Sequence, residues 1–232
     1  MIPSRSRAGA RPLGIVLLTL LTIGVVAGHA PSAARQASEG KIPTRVIDGD
    51  TVQMGSEVHE LAGIDAPELG QRCLNNGALY ACGLEASFAL RKMIGIMPVS
   101  CTRRADGDGV ECMGGAGNLG LLLVQQGFAV ARPGAPPAYL EAQRVAKDSK
   151  LGIWRGDFVP SVRWRQGDRL EAERKSPVPC PVKAAVEQSG RRIYLVPTDG
   201  VYDKVTPDPE AGGRLFCTDE EARAAGFERP AS

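Results

Sequence analysis

The chain has 232 residues, 28 of them basic and 26 acidic, for a formal net charge of +2, and only 5% are aromatic. Without the first thirty residues, which carry three arginines and no acid, the balance becomes 25 to 26, or −1. A chain so near neutrality has no global field to gather polyanions, which disfavours a general nucleic-acid-binding module and leaves only local patches.

Residues 1–30 read as an export signal. Arg5, Arg7 and Arg11 make a positive start, and Leu13 to Gly28 is an apolar run of sixteen residues. Gly28-His29-Ala30 then offers small residues for cleavage. The run is short for a membrane span. Pro31 disfavours a cut directly before it, so later cleavage or retention as an N-terminal anchor are the alternatives. No other stretch is long and apolar enough to cross a bilayer. The expected location is periplasmic or secreted. Residues 31–40, small and polar, form a linker.

Strand signals follow at about 43–53, 57–64, 97–103 and 109–113. Val46, Ile47, Thr51 and Val52 are β-branched and suit a pleated strand, while Asp48-Gly49 suits a bend or bulge. Pro67 cannot donate to a ladder, so the strand before it stops there. Asp48 and Asp50 form one acidic cluster, Asp65 and Glu68 a second. Acidic residues beside turns are ordinarily solvated turn formers. Brought together by adjacent strands, these would instead make an all-oxygen site for a hard cation such as Ca²⁺. His59 reads as an exposed strand residue.

Cys73, Cys82, Cys101, Cys112, Cys180 and Cys217 are an even set in a chain with an export signal, which reads as disulfides. Zinc is the competing reading. It fails because no closely spaced cysteine pair exists and His59 is the only histidine after the signal. Cys73 and Cys82 close a small loop around Asn75-Asn76-Gly77. Cys101 and Cys112 flank a hairpin carrying Asp106-Gly-Asp-Gly109, and Cys180 and Cys217 bracket the C-terminal segment. Those brackets predict the pairs 73–82, 101–112 and 180–217.

Ala86, Ala89, Leu90, Met93 and Ile94 fall at helical spacing and form one apolar stripe, with Phe88 off it. Leu121, Leu122, Val124 and Gln125 open a short helix that stops at Gly127. Arg144 to Lys175 is the best basic patch, with nine basic and five acidic residues around Trp154 and Trp164. It reads as a solvated face with structural tryptophans. Residues 167–179, charged and then Pro-rich, read as an exposed linker. In residues 180–229, Arg192 to Val196 reads as a strand. Thr218 and Glu221 form a capping box and Gly226 a helix stop. This segment reads as a separate small module that depends on its disulfide.

The runs Val46-Ile-Asp-Gly-Asp-Thr51 and Leu61-Ala-Gly-Ile-Asp-Ala-Pro-Glu68 resemble the staphylococcal nuclease (thermonuclease) family. The likeness continues through Tyr80 to Ile94, Gly120 to Ala129 and Tyr139 to Trp154, which resemble that family's three helices, and covers roughly residues 41–166. The last fifty residues resemble a short module that often follows this domain in secreted bacterial proteins. The resemblance implies a five-stranded Greek-key barrel of the OB type with peripheral helices, and a small disulfide-bonded α+β module after it.

It further implies Ca²⁺ held by Asp50, Asp65 and the Ala66 carbonyl, with Asp48 supporting them and Glu68 activating the attacking water. The family's two phosphate-binding arginines do not carry over. Glu60 stands where the first belongs, and the 101–112 hairpin lacks the second. An arginine at a phosphoryl transition state is worth roughly 10³–10⁵ in rate. The expectation is therefore a weak or inactive nuclease that keeps its cation site, monomeric, with at most weak affinity for nucleic acid or nucleotide, acting in binding or envelope architecture. The alternative is an active Ca²⁺-dependent nuclease that recruits Arg103 or Arg104.

Overall fold

The computed structural model describes residues 44–230 except 106 and 177. The export signal (1–30), the linker (31–40) and Asp106 lie outside the described residues. The first half is built of short strands. They are β1 (Thr44–Val46), β2 (Thr51–Met54), β3 (Glu57–Glu60), β4 (Ile64–Asp65), β5 (Cys73–Asn75) and β6 (Ala78–Tyr80). Helix α1 (Cys82–Ile94) follows, then β7 (Ser100–Arg103), β8 (Val110–Gly114) and β9 (Gly117–Asn118). Next come α2 (Leu119–Gln125), β10 (Val130–Ala131), α3 (Pro137–Asp148) and a 3₁₀ turn at Gly152–Arg155. The rest comprises α4 (Ser161–Arg165), α5 (Glu171–Lys175), β11 (Val182–Val186), β12 (Arg192–Leu195), β13 (Arg214–Phe216) and α6 (Asp219–Ala224).

Among the described residues the strands pair into five small sheets, β1-β2-β3, β4-β10, β5-β6, β7-β8-β9 and β12-β11-β13. The fold is mixed and β-rich with peripheral helices, and its ladders do not close into one barrel. A parallel bridge between Leu61 and Val110 links the first sheet to the hairpin sheet. Disulfides join Cys73 to Cys82, Cys101 to Cys112 and Cys180 to Cys217. Cys101 and Cys112 face each other across the β7–β8 ladder, which explains why a loop of this length closes there. No helix among the described residues is long and apolar enough to cross a membrane.

The apolar stripe of α1 behaves as its spacing requires. Ala86, Leu90 and Ile94 are buried against Val52, Ile64, Leu119 and Leu123, and Phe88 is left exposed. Asn118 caps α2 by accepting a hydrogen bond from the Leu121 amide. The C-terminal segment departs from the expectation of a separate module. Val182, Ala184, Tyr194, Val196, Ala222 and Phe227 form one buried cluster with Ile47 and Leu69, so the segment has no private core. The polar contacts agree. Thr198 Oγ1 and Arg229 Nη2 donate to the Val46 carbonyl at 2.6 and 2.9 Å, and the Gly70 amide donates to the Cys217 carbonyl at 3.0 Å. Fifty residues bury too little alone, and this arrangement borrows apolar surface from the strand that carries the acidic motif. All described residues belong to one compact unit.

Residues 167–179 also depart from a plain exposed linker. Glu173 on α5 is buried and accepts a 3.0 Å hydrogen bond from the Trp164 indole. The Arg169 guanidinium lies 3.6 Å from the centre of the Trp164 ring. Trp164 is buried, so its structural reading stands, and it anchors α4 against the body.

Candidate functional site

The acidic turn after β1 is shaped by its own hydrogen bonds. Asp48 Oδ1 accepts from the amides of Asp50 and Thr51 at 3.0 and 2.7 Å, which closes the D-G-D bend. Gly49 is required by close packing. A Cβ there would lie 2.7 Å from the Cβ atoms of both Ala66 and Ala86. The bend thus drops onto the second acidic segment, and Asp50 Oδ2 accepts from the Ala66 amide at 2.6 Å. Gly83 plays the matching part at the start of α1, where a Cβ would fall 1.7 Å from the Glu68 carbonyl oxygen. Gln71, fully buried, accepts from the Glu68 amide at 3.2 Å and donates to the Val159 carbonyl at 2.6 Å, holding the turn after Pro67.

The four carboxylates are not solvated turn formers. Asp48, Asp50, Asp65 and Glu68 are 5%, 8%, 6% and 4% exposed. Burial pushes Asp50 up to about 7, against the Ala66 amide and the Arg132 charge, with Glu68 and Asp65 adding to the rise. Burial and the neighbouring Asp48 push Glu68 up to about 8, against Arg165. Asp48 is raised well above the ordinary carboxylate range, first by burial and then by Asp50 and Glu220. Packed acids without a counter-ion repel, and protons relieve that repulsion.

Two arginines that sequence reasoning did not assign to the site serve it. Arg165, at the end of α4, donates from Nη2 to Asp65 Oδ1 at 3.0 Å and from Nη1 to Glu68 Oε1. It bridges Asp65 and Glu68 from 100 and 97 residues away in sequence. Arg165 belongs to the patch read as a solvated face, but its guanidinium is turned inward because Trp164 fixes α4. Arg132 follows β10, whose pairing with β4 sets Val130 opposite Asp65. Its Nη2 donates to Glu60 Oε2 at 2.7 Å and its Nη1 to Asp108 Oδ1 at 3.3 Å. Its charge also acts on Asp50 and Asp65. Glu60 is thus paired with an arginine from the segment after β10.

Arg103 is exposed at the end of β7, where its backbone pairs with Val110, and its side chain makes no hydrogen bond or ion pair among the described residues. Arg104 acts on the Tyr139 phenol of α3. The guanidiniums whose charges act on Asp50, Asp65 and Glu68 are those of Arg132 and Arg165. His59 is 8% exposed, not an exposed strand residue, and its Nε2 lies 3.1 Å from Glu57. In β3 it lies opposite buried Val52 of β2, on the same face as Glu57.

Chemically, Asp50 and Asp65 offer hard oxygens to a cation, beside the Ala66 backbone. The donor set suits Ca²⁺ better than a soft metal. The Asp65–Arg165 contact occupies one of those oxygens, so a cation has to compete for it. The site so defined is a buried, arginine-bridged carboxylate cluster on a disulfide-bonded β-rich scaffold. No family model matches the chain. It is 36% identical over 165 residues to the succinoglycan biosynthesis protein ExoI of Rhizobium meliloti (strain 1021), an alignment spanning 64% of this chain and 78% of that protein. The chain belongs to the same family as ExoI.

Proposed function

We propose that this protein is an exported, Ca²⁺-binding member of the nuclease-like class, with phosphodiester cleavage weak or lost, that acts in binding or in the architecture of the cell envelope. The observation that carries the reading is the Arg165 guanidinium bound to both Asp65 and Glu68. A divalent cation taken up by Asp50, Asp65 and the Ala66 carbonyl would take over from that guanidinium at Asp65 and from the protons held by the raised acids. The antiparallel run β1-β2-β3 and the parallel Leu61–Val110 bridge support an OB-type reading of the scaffold. The three disulfides support export, since such bonds persist in oxidising compartments.

Weak cleavage follows from where the charges are committed. Glu68, which would activate water, is held by Arg165. Arg132, the cation nearest Asp50 and Asp65 from the other side, is held by Glu60 and Asp108. A phosphate approaching the cluster meets the Glu60 carboxylate at the position where the family places a guanidinium. ExoI is named for succinoglycan biosynthesis, and we carry to this chain the corresponding class of role, support of the making of an extracellular polysaccharide.

The second reading is a Ca²⁺-dependent phosphodiesterase that uses Arg132 instead of Arg103 or Arg104. The action of the Arg132 charge on Asp50 and Asp65 favours it. One pair of experiments separates the two. Calorimetry is expected to show Ca²⁺ binding by the wild type and weaker binding by Asp50→Ala. Hydrolysis of single-stranded DNA or RNA with Ca²⁺ is expected to stay near background. Robust turnover that Glu68→Ala and Arg132→Ala both abolish would establish the second reading and refute the first.

A further inference from the structure

A second group of acids lies on the other side of Asp48. Helix α6 opens with Asp219 and Glu220, and one carboxylate oxygen from each of Asp48, Asp219 and Glu220 lies within 4.8 Å of the others. The elements that meet there come from opposite ends of the described chain. Asp219 is 0% exposed. Its Oδ2 accepts from Arg223 Nε at 3.0 Å, and its Oδ1 is buried with no hydrogen-bond partner. Glu220 repeats the pattern. Its Oε1 accepts from Arg223 Nη2 at 3.2 Å, and its Oε2 is buried with no partner. Asp48 Oδ1 is taken by the two amides of its bend, which leaves Oδ2 for the group.

One guanidinium therefore serves two of the three carboxylates, and two buried oxygens are left unsatisfied. Native interiors rarely tolerate this, because each such oxygen keeps its full desolvation cost. Protons or a cation could remedy it. The capping box fixes the first turn that carries both acids, since Thr218 Oγ1 accepts from the Glu221 amide and Glu221 Oε2 accepts from the Thr218 amide, and from that of Cys217 as well. The two orphan oxygens are shielded from solvent, so the gap between the three acids suits a bare ion more than a hydrated one. Mg²⁺ keeps several waters and a strict octahedron, whereas Ca²⁺ accepts irregular sets of protein oxygens at about 2.3–2.6 Å.

We propose that Asp48, Asp219 and Glu220 form a second Ca²⁺ site, separate from Asp50 and Asp65, that fastens α6 to the D-G-D bend. An ion there joins the C-terminal helix to the turn that positions Asp50. The C-terminal segment thereby becomes part of the apparatus that holds the acidic bend.

The test is calorimetric titration of the whole protein with Ca²⁺, beside the variants Asp219→Asn, Glu220→Gln and Asp50→Ala, each checked for fold by circular dichroism. The wild type is expected to take up two equivalents. Asp219→Asn and Glu220→Gln are each expected to lose one equivalent, or to bind it at least tenfold more weakly. Asp50→Ala is expected to lose the other. Glu220 is partly exposed, so Glu220→Gln carries the test if Asp219→Asn does not fold. Two equivalents persisting in Glu220→Gln and in any folded Asp219→Asn would overturn the proposal, as would one wild-type equivalent that only Asp50→Ala removes. One equivalent lost in Asp219→Asn and Glu220→Gln but kept in Asp50→Ala would uphold this site and remove the Asp50–Asp65 one.

Discussion

Without a cation, the acidic site should make this protein less stable as pH rises through neutrality. Asp50 ionises near pH 3.8 when free and is raised to about 7 in the folded chain, mainly by burial. Between those values the folded state holds a proton that the unfolded state has released, so stability falls with rising pH. From pH 5 to pH 7 that contribution falls by about 2 kcal/mol, since the slope of about 1.4 kcal/mol per pH unit halves as the group ionises at the upper end. Glu68, raised to about 8, acts in the same direction and carries the decline further, but it shares its repulsion with Asp48 and does not simply add. Asp199 has the opposite sign, because its arginine partners outweigh its burial and hold it below the usual carboxylate range. Its stabilisation is complete above pH 5 and is lost only at lower pH, outside this window. For a chain of this size about 2 kcal/mol corresponds to a fall in Tm of roughly 4–8 °C. Ca²⁺ at about 100 times its Kd should restore about 2.7 kcal/mol at pH 7 or above, and much less at pH 5, where protons compete with it. Thermal melts at pH 5, 6, 7 and 8, with chelator or with excess Ca²⁺, measure both effects. A chelated protein whose Tm rises from pH 5 to pH 7, or a Ca²⁺ shift equal at pH 5 and pH 8, would refute the reasoning.

Arg165→Ala should lower the Tm of the metal-free protein and tighten Ca²⁺ binding about tenfold, since it removes the competitor at Asp65; calorimetry showing weaker binding would contradict this. Phe227→Ala should cost about 3–5 kcal/mol and leave a single unfolding transition, because Phe227 shares its cluster with Ile47 and Leu69. Two transitions, one at the wild-type temperature, would show an independent C-terminal module. Glu60→Arg should break the 2.7 Å pair with Arg132 and set two guanidiniums at the mouth of the site. Nucleotide affinity measured by calorimetry is expected to rise, and cleavage only slightly, because Arg165 still holds Glu68.

The acidic motifs were legible because they lie close in sequence on segments whose β-branched residues and Gly-Asp bend dictate local shape. The disulfide pairs were legible from the loops they bracket, and α1 from its apolar spacing. What sequence could not reveal was which distant charge answers each acid. Arg165 reaches Asp65 across one hundred residues, and its position depends on how Trp164 packs. Composition counted it as one more surface charge. Arg132 pairs with Glu60 across 72 residues, through the β4–β10 register. The acid at position 60 and the arginine at position 132 make sense only as a pair. The burial of His59 was hidden because it depends on the β2–β3 register that sets it opposite Val52. The packing of the last fifty residues was hidden because apolar side chains show that a partner surface exists without naming it.

The Val46 carbonyl, two residues before the acidic bend, receives its side-chain donors from Thr198 and Arg229. A ribosome adding roughly 5–20 residues per second takes on the order of 10–40 s to travel from the bend to Arg229. Throughout that interval the bend exists without the groups that close over its back. The support of the acidic bend thus comes from residues 152 and 183 positions further along the chain. A chain without Thr198 and Arg229 carries every acid of the motif and still lacks the two side chains that tie down the strand leading into it.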